Sequence, residues 1–404
     1  MRPAGKIVGV AAVLLLLAAR PAQAGAGRDW HLAAMRVPAA RTMAEGEGVT
    51  VAVLDSGVVA GHPAFRGRVS TGPDLIGGGA RPGQPYWGAH GTAMASDVLS
   101  VAPRARVLSV RVIWDREDPA RDRFDEAVKK WARTREIAPE VKKSQQALAR
   151  GIRYAVAHGA KVISMSLGTD EWGAFQPYEE DVAAAVGHAV GKGVVLLASS
   201  GNGGSSDLAD PDANNVVSYP AAYPGVIAVA AMGPDGRRAE FSQVHTYTTI
   251  AAPGVDIASA SNTGGYRLVN GTSPACALAA GAVALMVSRA PGLSPRQVRR
   301  ILVDTAIKPS RGYTPFLGHG LIDAEAAVRA AARTRPAETA AAPWEGGERF
   351  AMEPVDDRVD HPPVDPVYLA AGGAGAVFGL GCWLGAFFLL RRPRHRRART
   401  SPTG

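Results

Sequence analysis

Four short segments of the sequence carry residue types that, brought together, could turn a serine hydroxyl into a nucleophile. Each segment holds one such residue at a distinctive place: Asp55 closes an apolar run, His90 precedes Gly-Thr, Asn202 lies between glycines, and Ser273 precedes a proline. A serine hydroxyl reacts poorly until a base removes its proton, and histidine commonly supplies that base. The set therefore indicates acyl-transfer chemistry.

Each of these residue types has one task in that chemistry. The histidine needs a carboxylate to hold its tautomer and to stabilise the imidazolium that forms. The tetrahedral oxyanion needs donors that already point at it, such as a backbone N–H and a side-chain amide. We therefore predict a catalytic group, requiring no metal and no cofactor, that consists of Asp55, His90, Ser273 and Asn202.

Taken singly, each residue has an ordinary structural interpretation. An Asp after a strand commonly forms a turn, a Ser before a helix commonly caps it, and an Asn between glycines commonly adopts a left-handed turn. The chain order Asp, His, Ser makes the combination more specific than its members. The residues around Ser273 also depart from the G-x-S-x-G motif of α/β-hydrolases.

Alternating strand and helix signals predict the scaffold that must position these residues. Runs rich in branched residues favour strands at Val49–Leu54, Val107–Val112, Val162–Leu167, Val194–Ala198 and Val226–Ala231. Helices are predicted between them at Ala93–Leu99, Gln145–His158 and Asp181–Gly191. This pattern indicates an α/β fold, doubly wound, with a mostly parallel sheet and helices on both faces. Residues that follow parallel strands gather at one edge of the sheet.

The apolar stretch Pro274–Val287 predicts a buried helix, because its 14 residues are too few to cross a membrane. Pro274 is tolerated in the first turn, where a residue loses nothing by lacking an N–H. Ser273 then lies where unpaired backbone N–H groups and the positive helix end converge. That place favours developing negative charge.

The net charge of +9 arises at the two ends of the chain. Residues 1–24 carry three basic side chains and residues 391–404 carry six arginines, with no acid in either segment. The residues between them hold 36 basic and 36 acidic side chains, so this body is formally neutral. The balance argues against a nucleic-acid-binding protein.

The same two ends carry targeting signals. Residues 1–24 combine a basic start, a short apolar stretch and a final Ala-Gln-Ala, which predicts a cleaved signal peptide. Residues 367–390 contain no charged side chain and are long enough for a transmembrane helix. The arginines of residues 391–404 then predict a basic cytoplasmic tail, with the body extracytoplasmic.

Three further segments differ in composition from the body. Residues 25–48 form a short N-terminal extension, and residues 334–366, rich in Pro, Ala and acids, predict a flexible stalk. Residues 115–143 form a charged insertion, which is either a solvated surface segment or a lid or docking element beside the site. Asp207, Asp210, Asp212 and Asn214 form either an ordinary polar loop or a calcium loop.

Residues 49–333 resemble the peptidase domain of the subtilisin family, the subtilases. The resemblance extends from the Asp, His and Ser segments to Ser164–Gly168, Ala198–Gly201 and Tyr219-Pro220, where the family carries a cis-proline. It implies a serine endopeptidase in which Asp55, His90 and Ser273 form the triad and Asn202 completes the oxyanion hole. It also implies two walls of a peptide-binding cleft, formed by Ser166, Leu167 and Gly168 and by Ala198, Ser199, Ser200 and Gly201.

Within this family the chain resembles the mycosins, which are membrane-anchored subtilases associated with type VII secretion. The features that carry this likeness are Trp30-His31-Leu32, the short extension and the apolar C-terminal segment. Two features of this chain depart from the usual sequence pattern of these families. Cys276 is the only cysteine outside the apolar segment, so the body cannot form a disulfide, and Pro274 follows the serine directly, where the family usually has Met.

Two functions follow as expectations. The first is a membrane-anchored, single-pass extracytoplasmic serine endopeptidase that acts on polypeptides through an acyl-enzyme. The second is a structural subunit of a secretion complex in which peptidase activity is secondary or dispensable. Labelling of Ser273 by a serine-directed reagent separates an enzyme from a protein that only binds partners.

Overall fold

The computed structural model describes residues 29–134, 138–168, 178–205, 217–337 and 366–390. It groups the chain into two units, Met1–Ala341 and Ala342–Gly404, which are described separately. The predicted signal peptide, the basic tail, the calcium-loop candidates and most of the predicted stalk lie outside the described residues.

Strands in the described part of the first unit are β1 (Thr50–Asp55), β2 (Val69–Asp74), β3 (Arg106–Arg111), β4 (Val162–Met165), β5 (Val195–Ser199), β6 (Val226–Met232), β7 (Thr248–Pro253), β8 (Ile257–Ala260) and β9 (Tyr266–Val269). The helices are α1 (Trp30–Ala34), α2 (Val37–Arg41), α3 (Ala89–Val101), α4 (Pro119–Thr134), α5 (Pro139–Ala157), α6 (Glu180–Gly191), α7 (Thr272–Arg289), α8 (Pro295–Thr305) and α9 (Ala324–Arg333). The second unit contributes α10 (Pro366–Leu390).

Seven strands form one sheet in the order β2-β3-β1-β4-β5-β6-β7, while β8 and β9 pair as a separate antiparallel hairpin. Every neighbouring pair in the large sheet is parallel. The predicted mostly parallel sheet is therefore confirmed. Since β1 lies between β3 and β4, the residue at its carboxyl end, Asp55, emerges between other strands and not at a side of the sheet.

Two apolar cores lie on opposite faces of this sheet. In β1, Val51 and Val53 enter one core, and Ala52 and Leu54 enter the other, because successive strand residues point to opposite faces. The first core contains α3 and α7 with α8 and α9, and the second contains α4, α5 and α6. Because both faces of the sheet are covered, the strands are continuous apolar runs in the sequence.

The predicted helices and strands are present, with ends that differ by a few residues. The helix predicted over Ala93–Leu99 begins earlier, at Ala89, so that His90 lies in its first turn. The chain also contains β2 and β7, which the sequence patterns did not predict. The β2 strand includes Gly72 and Pro73, which are tolerated because it is an edge strand.

Two described helices are long and apolar enough to cross a membrane by length and composition. The first, α7, is 83% buried within its unit, which confirms the prediction of a core helix. In the second, α10, none of the residues Leu369–Phe388 is buried. Its sequence contains no charged residue, and it agrees with the helix predicted over residues 367–390.

Candidate active site

Asp55 is held at the end of β1 by the turn that follows it. Its side chain is fully buried, and its Oδ1 accepts a hydrogen bond of 2.7 Å from the backbone N–H of Ser56. Gly57 continues the turn at a φ of +101°, which glycine adopts without strain. A Cβ on Gly57 would also meet the indole of Trp87, so the turn is closed by an aromatic side chain.

His90 lies against this turn because a glycine follows it. A Cβ at position 91 would clash with the carbonyl oxygen of Gly57, so Gly91 lets α3 approach the turn. The His90 Nδ1 then lies 2.8 Å from Asp55 Oδ1. With a proton on Nδ1 donated to the carboxylate, the other nitrogen, Nε2, remains the ring's basic atom.

Burial and charge act in opposite directions on the pKa of His90. Burial lowers it, but the charge of Asp55 and the hydrogen bond to that carboxylate raise it, with a further contribution from Asp115. The net result raises the pKa of His90 to about 8. The imidazole is 35% exposed, so solvent reaches the ring beside the buried carboxylate.

Ser273 lies in the first turn of α7, two residues after Gly271, which occupies the N-cap position. N–H groups in this turn have no partner within the helix. The Ser273 hydroxyl donates to the carbonyl oxygen of Ser166 at 3.3 Å. Among the residues that the structure describes, no hydrogen bond joins this hydroxyl to His90. Contacts of this kind often form only in the substrate complex.

Thr272 fixes the orientation of the Asn202 amide. Asn202 Oδ1 accepts from the Thr272 backbone N–H at 2.7 Å and from its hydroxyl at 2.9 Å. The same Thr272 hydroxyl accepts from the Gly201 backbone N–H at 3.2 Å. These two bonds hold Oδ1 against Thr272 and so fix the plane of the Asn202 amide. The first turn of α7 thus carries both Ser273 and the anchor of Asn202.

The two predicted cleft walls follow adjacent parallel strands. The residues Ser166, Leu167 and Gly168 follow β4, while Ala198 and Ser199 end β5 and continue into Ser200 and Gly201. The Ser199 hydroxyl donates to the Leu167 carbonyl at 3.2 Å, and the Ser166 hydroxyl donates to the Ser273 carbonyl at 2.9 Å. The structure therefore brings both walls together at Ser273. The Tyr219-Pro220 peptide bond is cis, as the resemblance implies.

Two polar residues of this region were not singled out from the sequence. Asp115 lies in the predicted charged insertion, residues 115–143. It accepts hydrogen bonds from the backbone N–H groups of Ala89 and His90. His245 supports the loop of Asn202 through the Ser200 carbonyl, 3.1 Å from its Nε2. Asp115 follows closely after β3. Because sites in parallel sheets form at the carboxyl ends of strands, its place in the sequence could have identified it as a candidate site residue.

A scan of known families matches residues 46–339 to the subtilase family of peptidases. Among curated proteins, Subtilisin BL of Lederbergia lenta is 33% identical over 316 residues, which cover 74% of this chain and 98% of that protein. Subtilisin E of Bacillus subtilis is 32% identical over 293 residues, covering 70% of this chain and 66% of that protein.

Solved structures give the same result. MycP1 of Mycobacterium smegmatis is 29% identical with a TM-score of 0.59, covering 74% of this chain and 84% of that one. The MycP3 protease from a type VII (ESX-3) secretion system is 29% identical with a TM-score of 0.60, covering 74% and 87%. The parallel sheet, the Asp-His pair and these matches agree, and the chain belongs to the subtilase family of serine peptidases.

Proposed function

We propose that this chain is a membrane-anchored serine endopeptidase in which Asp55, His90 and Ser273 form the triad and Asn202 is the oxyanion donor. The observation that carries the proposal is the 2.8 Å hydrogen bond between His90 Nδ1 and the buried Asp55 carboxylate at the carboxyl end of β1, with Ser273 in the first turn of α7. An Asp-His pair in this geometry prepares a base, and a serine in the first turn of a helix supplies a nucleophile.

The first step transfers the Ser273 proton to His90 Nε2 while Oγ forms a bond to the substrate carbonyl carbon. For this step the hydroxyl turns away from the Ser166 carbonyl and towards the imidazole. Asp55 keeps its negative charge and stabilises the imidazolium. The raised pKa of His90, about 8, agrees with this stabilisation of the protonated ring.

The oxyanion that forms is stabilised by the Ser273 backbone N–H and by Asn202 Nδ2. Collapse of the tetrahedral intermediate breaks the C–N bond, and His90 gives its proton to the leaving amine. Water then attacks the acyl-enzyme with the same histidine as the base, and Ser273 is regenerated. In subtilisin, loss of one oxyanion donor lowers kcat by about 10²–10³.

The substrate is a polypeptide in extended conformation that lies between the two walls. Backbone groups of Ser166–Gly168 and of Ala198–Gly201 offer the donors and acceptors for an added strand. Support comes from the position of both walls beside Ser273, where the scissile bond must lie.

A serine-directed fluorophosphonate tests this function on the full chain. Ser273→Ala removes the nucleophile, and we expect labelling to be lost and peptide hydrolysis to fall by about 10⁴-fold or more. Ser288→Ala is the matched control, since Ser288 lies at the other end of α7 and its hydroxyl donates to the Glu47 carbonyl. If the wild-type chain is folded and is not labelled, the proposal is wrong.

The proposal includes a chain organisation. Residues 1–24 are a signal peptide, 25–48 an extension, 49–333 the peptidase domain with the insertion 115–143, 334–366 a stalk, and 367–390 a transmembrane helix before the tail 391–404. The peptidase domain is then extracytoplasmic. The apolar sequence of α10 supports the anchor, since it has no charged residue and none of the residues Leu369–Phe388 is buried.

A second candidate function is that of a structural subunit of a secretion complex. It is favoured by the similarity to MycP1 and MycP3, which are described as parts of type VII secretion systems. We expect such a subunit to co-purify with membrane partners and to retain this association in the Ser273→Ala variant. A complex that supports export without the nucleophile would favour this function over peptidase activity.

A further inference from the structure

Asp115 caps the helix that carries His90. Its Oδ1 accepts from the His90 backbone N–H at 2.8 Å, and its Oδ2 accepts from the Ala89 N–H at 3.0 Å. Asp115 is only 5% exposed and therefore holds its charge away from bulk water. The carboxylate comes from the loop after β3, about 25 residues beyond the helix start.

The helix start has little capping of its own. The N-cap residue is Gly88, at a φ of +69°, which has no side chain to accept a hydrogen bond, and the described first turn contains no acid. The Ser56 hydroxyl accepts from the Gly91 N–H at 3.1 Å and also hydrogen-bonds Asp115. The free N–H groups of this turn are thus satisfied from outside the helix.

We propose that Asp115 is a positioning residue for His90: it fixes the backbone from which the imidazole reaches Asp55, and its charge favours the imidazolium formed during the reaction. The proposal rests on the proposed peptidase function and adds to it a residue outside the triad. A carboxylate at this place offsets the positive end of α3, which would otherwise oppose a proton on the ring. Because Asp115 bonds the His90 backbone, its removal changes both the position and the charge environment of the base.

Four charged or titratable groups act on the His90 ring. Asp55 from β1 and Asp115 from the loop after β3 raise the pKa of His90, while Arg267 from β9 lowers it. Asp97, two turns further along α3, is buried and interacts electrostatically with His90. Arg267 also approaches the Ala89 carbonyl, at 3.4 Å, so the start of α3 has charges of both signs near it.

The central experiment measures the pKa of His90 directly by NMR with labelled histidine. It uses the full chain in detergent in the Ser273→Ala background, which prevents self-cleavage, and His90→Gln assigns the signal. We expect Asp115→Asn to lower the pKa of His90 clearly below its starting value of about 8. This readout requires no peptidase activity.

Asp118→Asn is the matched control. Asp118 lies three residues further in the same loop, is fully buried, and pairs with Arg111 at 3.2 Å rather than with α3. The substitution therefore removes a buried carboxylate and loosens the loop without touching the His90 backbone. We expect the pKa of His90 to stay unchanged in this variant. An equal fall in both variants, or no fall in Asp115→Asn, overturns the proposal.

Kinetics of the active chain give a second readout. We expect Asp115→Asn to lower kcat by about tenfold with KM changed by less than about twofold, since the base is displaced while the cleft walls are intact. The acidic limb of the pH profile of kcat/KM should move to lower pH, because the ring loses its proton more easily. A loss of folded protein alone would lower activity at all pH values and leave this limb in place.

If Asp115→Asn does not fold, the Ser273→Ala chain itself still decides the question. The His90 amide proton should shift when acid protonates the carboxylate that accepts it, and an amide that does not respond overturns the proposal. Failure of the peptidase function is recognised separately. Absence of fluorophosphonate labelling in the wild-type chain contradicts that function, whereas the ring titration still measures the effect of Asp115 on His90.

Discussion

At the scale of single residues, His245 lies beneath the loop that ends in Asn202. It is 5% exposed, its Nε2 lies 3.1 Å from the Ser200 carbonyl, and its ring stacks on Tyr247 at 4.5 Å between centroids. The neighbouring Gln243 N–H donates to the Gly201 carbonyl at 3.1 Å. These bonds hold the loop from below, so the neutral imidazole is part of the support for the proposed oxyanion donor.

His245 makes the stability of this region depend on pH. Burial lowers the pKa of His245 to about 4. The hydrogen bond to the Ser200 carbonyl raises this pKa, but by less than burial lowers it. Between about pH 6.5 and 4 the unfolded chain binds a proton that the folded chain excludes, so stability is full above this range and is lost as the pH falls through it. We expect His245→Gln to reduce this loss by on the order of 1–3 kcal/mol.

Denaturant unfolding at pH 7.5 and pH 5 measures that difference. His188→Gln is the matched control, because His188 is exposed on α6. The interpretation is wrong if both variants show the same dependence on pH as the wild-type chain.

At the scale of elements, the site depends on the contact between α3 and α7. The first helix carries His90 and the second carries Ser273, and both lie in the same apolar core. Gly281 of α7 lies against Val98 and Val101 of α3, where an added Cβ would be 2.6 Å from the Val101 Cβ. The backbones approach closely there because no side chain separates them.

Gly281→Ala tests this close packing. We expect it to lower the free energy of unfolding by about 1–3 kcal/mol, since the inserted methyl group pushes the helices apart. Gly187→Ala in α6 is the control: an added Cβ there meets nothing within 4 Å. That substitution should raise stability by about 0.5–1 kcal/mol through helix propensity.

Thermal and denaturant unfolding of the two variants should therefore give opposite signs. Equal and small effects would contradict the close approach of α3 and α7. Because the same contact sets the spacing of His90 and Ser273, we also expect Gly281→Ala to slow fluorophosphonate labelling, whereas Gly187→Ala should leave the rate unchanged.

At the scale of the whole molecule, the charge distribution agrees with the proposed topology. The excess of basic residues lies in residues 1–24 and 391–404, while the residues between them are formally neutral. Basic residues beside an apolar segment favour the cytoplasmic side of a membrane. The charge therefore supports a location for the enzyme and carries no information about its substrate.

Membrane extraction tests the anchor. We expect the full chain to stay in the membrane fraction at alkaline pH, and a chain that ends at residue 337 to be released. Gly379→Arg places a charge in the middle of α10 at a cost of about 2.5–3.5 kcal/mol for insertion and should weaken retention. Release of the full chain by alkaline extraction would contradict the anchor.

Much of the fold could be predicted from local patterns. Apolar runs identified β1, β3, β4, β5 and β6, because strands buried on both faces need no alternation. The edge strand β2 was missed, since it contains glycine and proline and exposes much of its length. The helix predicted from Ala93 begins earlier, at Ala89, because the acceptors for its first N–H groups lie on Asp115 and Ser56, far away in sequence.

The sequence by itself predicted the parallel α/β scaffold, which the structure confirms, and it supplied the candidate residues Asp55, His90, Asn202 and Ser273; the targeting signals at its two ends stay predictions. Residue type, order and periodicity carry this information locally. Only the tertiary structure decided that Asp115 lies on the His90 helix, that Thr272 orients Asn202 and that His245 supports its loop. Hydrogen bonds between distant residues depend on how strands and helices pack, and no local pattern encodes them.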